Sequence, residues 1–428
     1  MTHAPSRRAF LTHGAAAVAG IRLSGFAAPL LRQAASPGGA ELLKVGLVGC
    51  GGRGTGAAAN ALRADPNVRL VALADVFPDR LEESLATLLA TPEAAPKVDV
   101  PPERRFTGFD GYKGVIAASD VVLLATSPFF RPLHVEACVE AGKHMFVEKP
   151  VATDGPGLRR VMAACERARA QRLALVSGLC YRYERAKQEV VRRVHDGAIG
   201  DIVALQCTYN TSELWHRGRQ PEWSEMEFQM RNWLYFAWLS GDMIAEQHIH
   251  SLDKLAWAKG SYPVKCTSSG GRSKRTGPEY GDVYDHFNTV YEWEDGVRGF
   301  SSCRQWNGTA TDVSDHVFGT KGVAHLQTHA IEGQGGAWRH RAEGEDDMYQ
   351  NEHDALFRSI RAGEPIHDGD VMCSSTLMAL MGRLAAYTGQ EVTREQALQS
   401  QEDLAPAALA FGPAPAPVVA VPGVKKLV

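Results

Sequence analysis

The run Gly49-Cys50-Gly51-Gly52-Arg53-Gly54 is a G-x-G-x-x-G set. Glycines at these spacings allow a tight turn, a close backbone approach to a pyrophosphate, and close packing of the following helix on the preceding strand. Asp75 stands about 20 residues further on, where a carboxylate accepts hydrogen bonds from an adenosine ribose. Such a loop, opening a helix whose N-terminus faces phosphates, predicts a dinucleotide site. A second concentration of chemistry is Glu246-Gln247-His248-Ile249-His250-Ser251-Leu252-Asp253. Imidazole titrates near neutral pH and suits removal of a hydroxyl proton as hydride leaves carbon. If this run is extended, Glu246, His248 and His250 share one face and resemble a three-ligand metal set. If it begins a helix, Glu246 and His250 share a face and His248 points away. Spacing alone leaves both open.

The elements around these residues follow a parallel-sheet rhythm. A β-rich run at 42–48 leads into the glycine loop, and a helical stretch is predicted at 55–64. A second apolar run, 68–74, ends in Asp75. The run 120–125 ends in Thr126-Ser127-Pro128, a helix follows at 132–141, and 144–147 ends in Glu148-Lys149-Pro150. Strands alternating with helices of about ten residues predict a doubly wound sheet, with ligands outside the carboxyl ends of its strands. Thr126, Ser127, Pro128, Glu148 and Lys149 all lie at such ends. With the acid at Asp75, a 2′-phosphate is repelled and NAD is favoured over NADP, although Arg53 and Arg80 are near enough in sequence to admit NADP.

GCGGRG, then ATSP with His134 downstream, then EAGKHMFVEKP, resembles the Gfo/Idh/MocA family of oxidoreductases. The tail NEHDALFRSIRAGEPIHDGD is similar to the family's closing helices. The resemblance covers roughly 43–395 and implies an N-terminal Rossmann domain at 43–180. A second α/β domain at 181–390, built on a large, mostly antiparallel sheet, binds substrate and pairs subunits as a homodimer or homotetramer. A tail at 391–428 follows. By the same resemblance Gly49, Gly51, Gly52, Arg53, Gly54, Asp75, Thr126, Ser127, Pro128, His134, Glu148 and Lys149 hold the cofactor. Lys149 and His250 handle the proton of the reacting hydroxyl, and the Lys149–Pro150 bond is compatible with the cis form. The family norm D-x-G-x-H reads Glu246-x-His248-x-His250 here, so the acid is one methylene longer, and the resemblance implies no catalytic metal. The aromatic approach to this motif, Trp233 and Tyr235 among it, resembles a sugar-stacking wall. Arg182 and Tyr181, after a last strand at 173–179, and His248 and His286 are further candidates for binding a sugar or polyol.

Composition bounds the rest. The 428 residues carry a formal charge of −3, with 44% hydrophobic and 22% charged residues. This excludes extended disorder and leaves no electrostatic footprint for nucleic acid. No apolar run approaches the roughly 20 residues of a membrane span, so no stable membrane insertion is expected. Eight scattered cysteines contain no C-x-x-C pair and read mainly as small buried residues. Residues 1–35 hold Arg7, Arg8, Arg22 and Arg32 and no acid. Ser6-Arg7-Arg8-Ala9-Phe10-Leu11 resembles the twin-arginine export signal, so an exported, periplasmic enzyme is expected. Such an enzyme finds almost no free nicotinamide pool, and the expected NAD is therefore tightly bound. The leading expectation is an NAD(P)-dependent oxidoreductase of a sugar or cyclitol. The alternative is a redox-neutral lyase or glycosidase that oxidises, eliminates and returns the hydride. Intact Lys149 and His250 weigh against a non-catalytic binding protein.

Overall fold

The computed structural model describes residues 41–428 apart from Glu343, and the expected leader at 1–35 lies outside the described residues. The first half runs β1 (Leu43–Val48), α1 (Gly52–Ala64), β2 (Val68–Asp75), α2 (Pro78–Ala90), β3 (Arg105–Thr107) and α3 (Gly111–Ala118). It continues with β4 (Val121–Leu124), α4 (Arg131–Glu140), β5 (His144–Val147), α5 (Gly155–Ala170) and β6 (Leu175–Ser177). These six strands form a wholly parallel sheet in the order β3-β2-β1-β4-β5-β6. Helices cover both faces, which is why β4 (VVLL) and β5 (HMFV) are buried at every position. The order reverses between β1 and β4, and a crevice opens at that switch point. α1 starts at Gly52, earlier than expected from the sequence, because the loop's own glycines enter the first turn.

The second half contains α6 (Arg185–His195), β7 (Ile202–Thr211), α7 (Glu225–Arg231), α8 (Ala237–Ser240), α9 (Met243–Glu246) and α10 (Ile249–Lys259). Then follow β8 (Lys265–Gly271), β9 (His286–Glu292), β10 (Arg298–Gln305), β11 (Asp312–Gly319), β12 (Gly322–His325), β13 (Ala330–Gly333) and β14 (Gly336–Arg339). The chain closes with α11 (Met348–Ala362), α12 (Gly369–Thr388), β15 (Val392–Thr393) and α13 (Arg394–Gln399). Nine strands pair in the order β14-β13-β12-β11-β7-β10-β9-β8-β15, antiparallel except for β7 with β10. Inward residues of this sheet, such as Phe287, Tyr291 and Cys303, pack with α10 and α12, while Phe300 on the opposite face is half exposed. The alternation along β9 and β10 is that of a sheet covered on one face.

The two halves interlock more than a cut at 180/181 implies. α11 packs on α1, and its Leu356, Phe357 and Ile360 join Leu43, Val45 and Leu47 of β1 in one apolar cluster. The chain thus returns to the first sheet late, because that sheet's β1 side needs a further apolar cover. Part of the region beyond 390 is also built in: β15 extends the second sheet, and Phe411 packs against Phe77 and Phe109. All eight cysteines are buried and free. No helix among the described residues is long and apolar enough to cross a membrane.

Candidate functional site

The glycine loop has the geometry of a phosphate cradle. Gly49 sits at φ +97°, and a Cβ there would lie 2.6 Å from the Ala125 backbone. A Cβ on Gly54 would lie 1.9 Å from the Gly49 carbonyl oxygen, so helix and strand can meet only at glycine. At Gly51 and Gly52 a Cβ would meet nothing within 4 Å. α1 has no capping side chain and no acid in its first turn, which leaves its N–H groups free for an anion. These features fit the pyrophosphate of a dinucleotide. The Asp75 carboxylate accepts from the Cys50 N–H (2.7 Å) and the Phe77 N–H (2.9 Å), binding the loop to the end of β2. Burial raises its pKa against these two donors.

The cleft above the loop has a volume of about 370 Å³. Gly49, Gly51–Gly54, Asp75, Thr126, Ser127 and His134 line it, as expected. His134 is buried under Tyr112 and Phe130, and its Nδ1 lies 3.3 Å from the Thr126 hydroxyl. Burial, then Arg131, pushes its pKa down to about 3, so it stays neutral beside the Thr126 hydroxyl. Pro128 is buried at the start of a short turn and is not among the lining residues.

Two expected cofactor ligands are engaged elsewhere. Arg53 borders the cleft, but its guanidinium pairs with both Glu148 and Glu352. Burial opposes its charge, and the two carboxylates outweigh burial. One Glu148 oxygen takes Arg53 and the other accepts the Lys149 N–H at 3.0 Å, so Glu148 positions the loop and the lysine. Burial raises the Glu148 carboxyl, yet Arg53, Lys149 and Arg131 hold it below its ordinary range. For the fully buried Glu352, burial prevails and its pKa is well above ordinary.

Lys149 follows β5, and its bond to Pro150 is cis. Its Nζ donates to the Glu246 carbonyl and lies 3.5 Å from the Glu246 carboxylate. α9 ends at Glu246 and α10 starts at Ile249, so the run is not extended, but it is split between two helices at Gln247–His248 rather than forming one. Burial, then Lys149, Lys254 and Arg53, lowers the His250 pKa well below 6.5. Its Nδ1 is buried without a partner, and its ring meets Tyr181 edge-on at 5.3 Å. Tyr181 in turn lies under the ammonium groups of Lys187 and Lys254, at 4.7 and 4.4 Å from its centroid. Lys149, Glu246, His250 and Tyr181 therefore form one cluster.

Five expected substrate ligands are corrected. His248 is fully buried, with Nε2 2.6 Å from the Ser301 hydroxyl, because it points from the start of α10 into the second sheet. Burial, then Lys254, takes its pKa down to about 3. Arg182 is held by both oxygens of buried Asp253, at 2.9–3.1 Å, and packs over Trp257. Tyr235 is 1% exposed and donates to the Leu214 carbonyl. Trp233 lines the cofactor cleft, not a separate sugar wall, because the aromatic segment packs on Phe77 and Phe130 of the first half. His286 is paired with Asp285 at 2.8 Å. It reaches the cluster only indirectly: the Gln305 N–H bonds the Asp285 carbonyl, and the Gln305 amide bonds Gln247. Sequence reasoning missed Phe77 and Arg217 in the cleft and Glu352 behind it. Phe77 could have been found from its place just after Asp75; the other two lie far away in sequence.

Residues 43–175 match the description "Oxidoreductase family, NAD-binding Rossmann fold", and residues 188–325 match "GFO/IDH/MocA C-terminal domain". An inositol 2-dehydrogenase of Cereibacter sphaeroides is 35% identical over 291 residues, 66% of this chain and 73% of the relative. A 2,7-anhydro-N-acetylneuraminate hydratase of Escherichia coli is 26% identical over 261 residues, 58% of this chain and 64% of that protein, just under two thirds of its length. The crystal structure of an aldose-aldose oxidoreductase from Caulobacter crescentus superposes with a TM-score of 0.64 at 21% identity, covering 82% of this chain and 100% of that one, which shows a shared fold. With the glycine cradle, the Asp75 anchor and both halves matched, the chain belongs to the Gfo/Idh/MocA family of NAD-binding oxidoreductases.

Proposed function

We propose that the protein oxidises a secondary hydroxyl on a cyclitol or sugar ring. The observation that carries this reading is the meeting of Lys149, Glu246 and His250 beyond the carboxyl end of β5. Bound NAD supplies the hydride acceptor. Lys149 spends one donor on the Glu246 carbonyl and turns another toward the Glu246 carboxylate, which leaves one to hold the reacting oxygen and stabilise developing negative charge. His250, kept neutral by burial and three cations, is free to accept the hydroxyl proton. The Glu246 carboxylate, partly exposed beside Lys149, accepts from a neighbouring ring hydroxyl. The inositol 2-dehydrogenase relative supports a polyol ring as substrate. The test is a turnover screen of inositols, sugars and glycosides, read by nicotinamide absorbance and by product mass. Oxidised product with NADH is expected. Bound NAD with no turnover of any ring polyol would overturn the reading.

The hydratase relative favours a second reading, in which the same cluster works without net redox change. Hydride is taken up by NAD, the ketone acidifies the adjacent C–H, a group is eliminated, water adds, and hydride returns. C–O bond cleavage without NADH accumulation would select this reading. Both readings suit an exported enzyme, for which the twin-arginine leader is the support. The NAD is then retained tightly. Protein from the exported fraction, gently desalted and denatured, should release about one dinucleotide per chain; a cofactor-free enzyme needing added NAD would refute retention. NAD is preferred over NADP on the strength of Asp75. The open face of the second sheet, with Phe300 half exposed among Thr208, Asn288 and Ser302, is the surface we assign to pairing in a homodimer or homotetramer. Sedimentation of Phe300→Asp beside the unaltered protein tests that assignment.

A further inference from the structure

The loop between β7 and α7 crosses from the second half to the cofactor cleft. It carries Arg217, which lines the cleft near Asp75, Phe77 and Arg80, at the adenosine end. Neighbouring guanidiniums have carboxylate partners: Arg231 pairs with Asp79 and Glu227 at 2.9 Å each, and Arg80 with Glu83 at 3.1 Å. Arg217 forms no ion pair among the described residues, and its guanidinium lies over the Trp215 ring at 5.1 Å. Its charge is disfavoured first by burial and then by Arg80 and Arg231, a repulsion that a bound anion would relieve. The backbone of Arg217 is nevertheless fixed. Asn232, fully buried, accepts its N–H at 2.7 Å and donates to its carbonyl at 3.1 Å. The loop thus holds an uncommitted cation in a preset place over the cleft.

We propose that Arg217 is an anion-binding residue, supplied by the second half, that takes a phosphate group of the dinucleotide and closes the cleft over its adenosine end. The proposal rests on the dinucleotide reading of the cleft. A planar guanidinium offers paired donors to a phosphate and stacks well on indole, as it does here on Trp215. Two phosphates share this chemistry: the pyrophosphate, present in NAD and NADP, and the 2′-phosphate, present in NADP alone. Asp75 disfavours the second, but it is already bound by two backbone N–H groups.

The test exchanges the dinucleotide retained by wild type and by Arg217→Ala against added NAD, NADP or adenosine, and measures release rates and affinities by mass spectrometry and calorimetry. A charge-assisted hydrogen bond lost without replacement weakens binding about tenfold or more. Weakening for both dinucleotides assigns Arg217 to the pyrophosphate; weakening for NADP alone assigns it to the 2′-phosphate. Either supports the proposal, and Arg217→Lys should recover part of the loss. Adenosine, which has no phosphate, should bind both proteins alike. Unchanged dinucleotide affinity, or an equal loss for adenosine, would overturn it. If wild type itself binds neither dinucleotide, the reading of the cleft fails along with the proposal, an outcome distinct from failure in the variant alone.

Discussion

Replacing Arg53 with Met should destabilise the protein by an amount that falls as the pH falls. The Arg53 guanidinium stands between Glu148, at the end of β5, and Glu352, on α11. Without it, two buried carboxylates face one another. Glu148 keeps Lys149 and Arg131 as neighbours, while Glu352 is 0% exposed and already has one oxygen without a partner. Breaking a buried pair by removing one partner costs roughly 3–5 kcal/mol. Arg53 is 32% exposed, so some water reaches the gap, and we expect about 3 kcal/mol near neutral pH.

The pH dependence has a defined sign. Burial already holds Glu352 well above the ordinary carboxyl range in wild type, and loss of Arg53 raises it further, so its titration opposes folding at neutral pH in both proteins and more so in the variant. That penalty vanishes as the pH falls and both states become protonated. In wild type the depressed Glu148 works the other way: it contributes stability above the ordinary carboxyl pKa, and this is lost on acidification. The Glu148 contribution is what the variant loses, so the two stability curves should converge only below the ordinary carboxyl pKa, at about pH 4 and lower. Urea unfolding followed by tryptophan fluorescence, on protein freed of NAD so that altered affinity does not enter, measures the difference at neutral pH and at about pH 4. Glu352→Gln placed in the Arg53→Met background should recover about half of the loss, since it removes the buried titratable carboxyl that faces Glu148. A difference below about 1 kcal/mol, as for a surface pair, or one that does not change with pH, would refute this account.

Lys149→Met should keep NAD affinity near normal and lower kcat by about 10²-fold, as measured by steady-state turnover with a bound-cofactor check. His250→Gln should block both hydride loss and hydride return; if rapid mixing shows only one half-reaction lost, a second acid/base exists. Because the His250 pKa lies well below 6.5, the kcat/KM profile of wild type should show no acid limb near pH 6.5, while the folded protein loses stability as unfolded His250 protonates there. Asp75→Ala removes the acceptor of the Cys50 and Phe77 N–H groups, and calorimetry should show NAD binding weakened by about tenfold or more and discrimination against NADP relaxed.

The first half of the fold was legible because its signals are local. Gly49, Gly51 and Gly54 act within one turn, Asp75 ends the next strand, and Lys149 ends a strand whose every residue is apolar or buried. The choice between an extended and a helical Glu246–His250 run was open in the sequence. The structure decides it through tertiary packing, which places His248 against Ser301 on the sheet. The aromatic segment misled for a related reason. Ring content reports burial area, not address, and Trp233 stacks into the cofactor cleft as readily as it would against a sugar. Arg182 was misread because its carboxylate partner, Asp253, lies on a different helix. No short-range pattern connects the two.

The polar links between the halves divide the cleft into a firm end and a yielding one. Near the nicotinamide side, Arg53 joins fully buried Glu352, and Lys149 reaches the Glu246 carbonyl, each 32% exposed or less. Parting such contacts strands buried groups and is costly. Near the adenosine side the link is Arg231 with Asp79, whose side chain is 59% exposed, and water replaces that contact for at most about 1 kcal/mol. Around it lie the Trp215–Arg217 loop and Phe411, packed by ring contacts to Phe77 and Phe109. A cofactor held by this arrangement has its reactive ring at the rigid end, where Lys149 and His250 must be aligned with it. The adenosine side is the end where opening is least expensive. If the cofactor is retained as proposed, alignment for hydride transfer and its release would then draw on different residues, so either could change without the other.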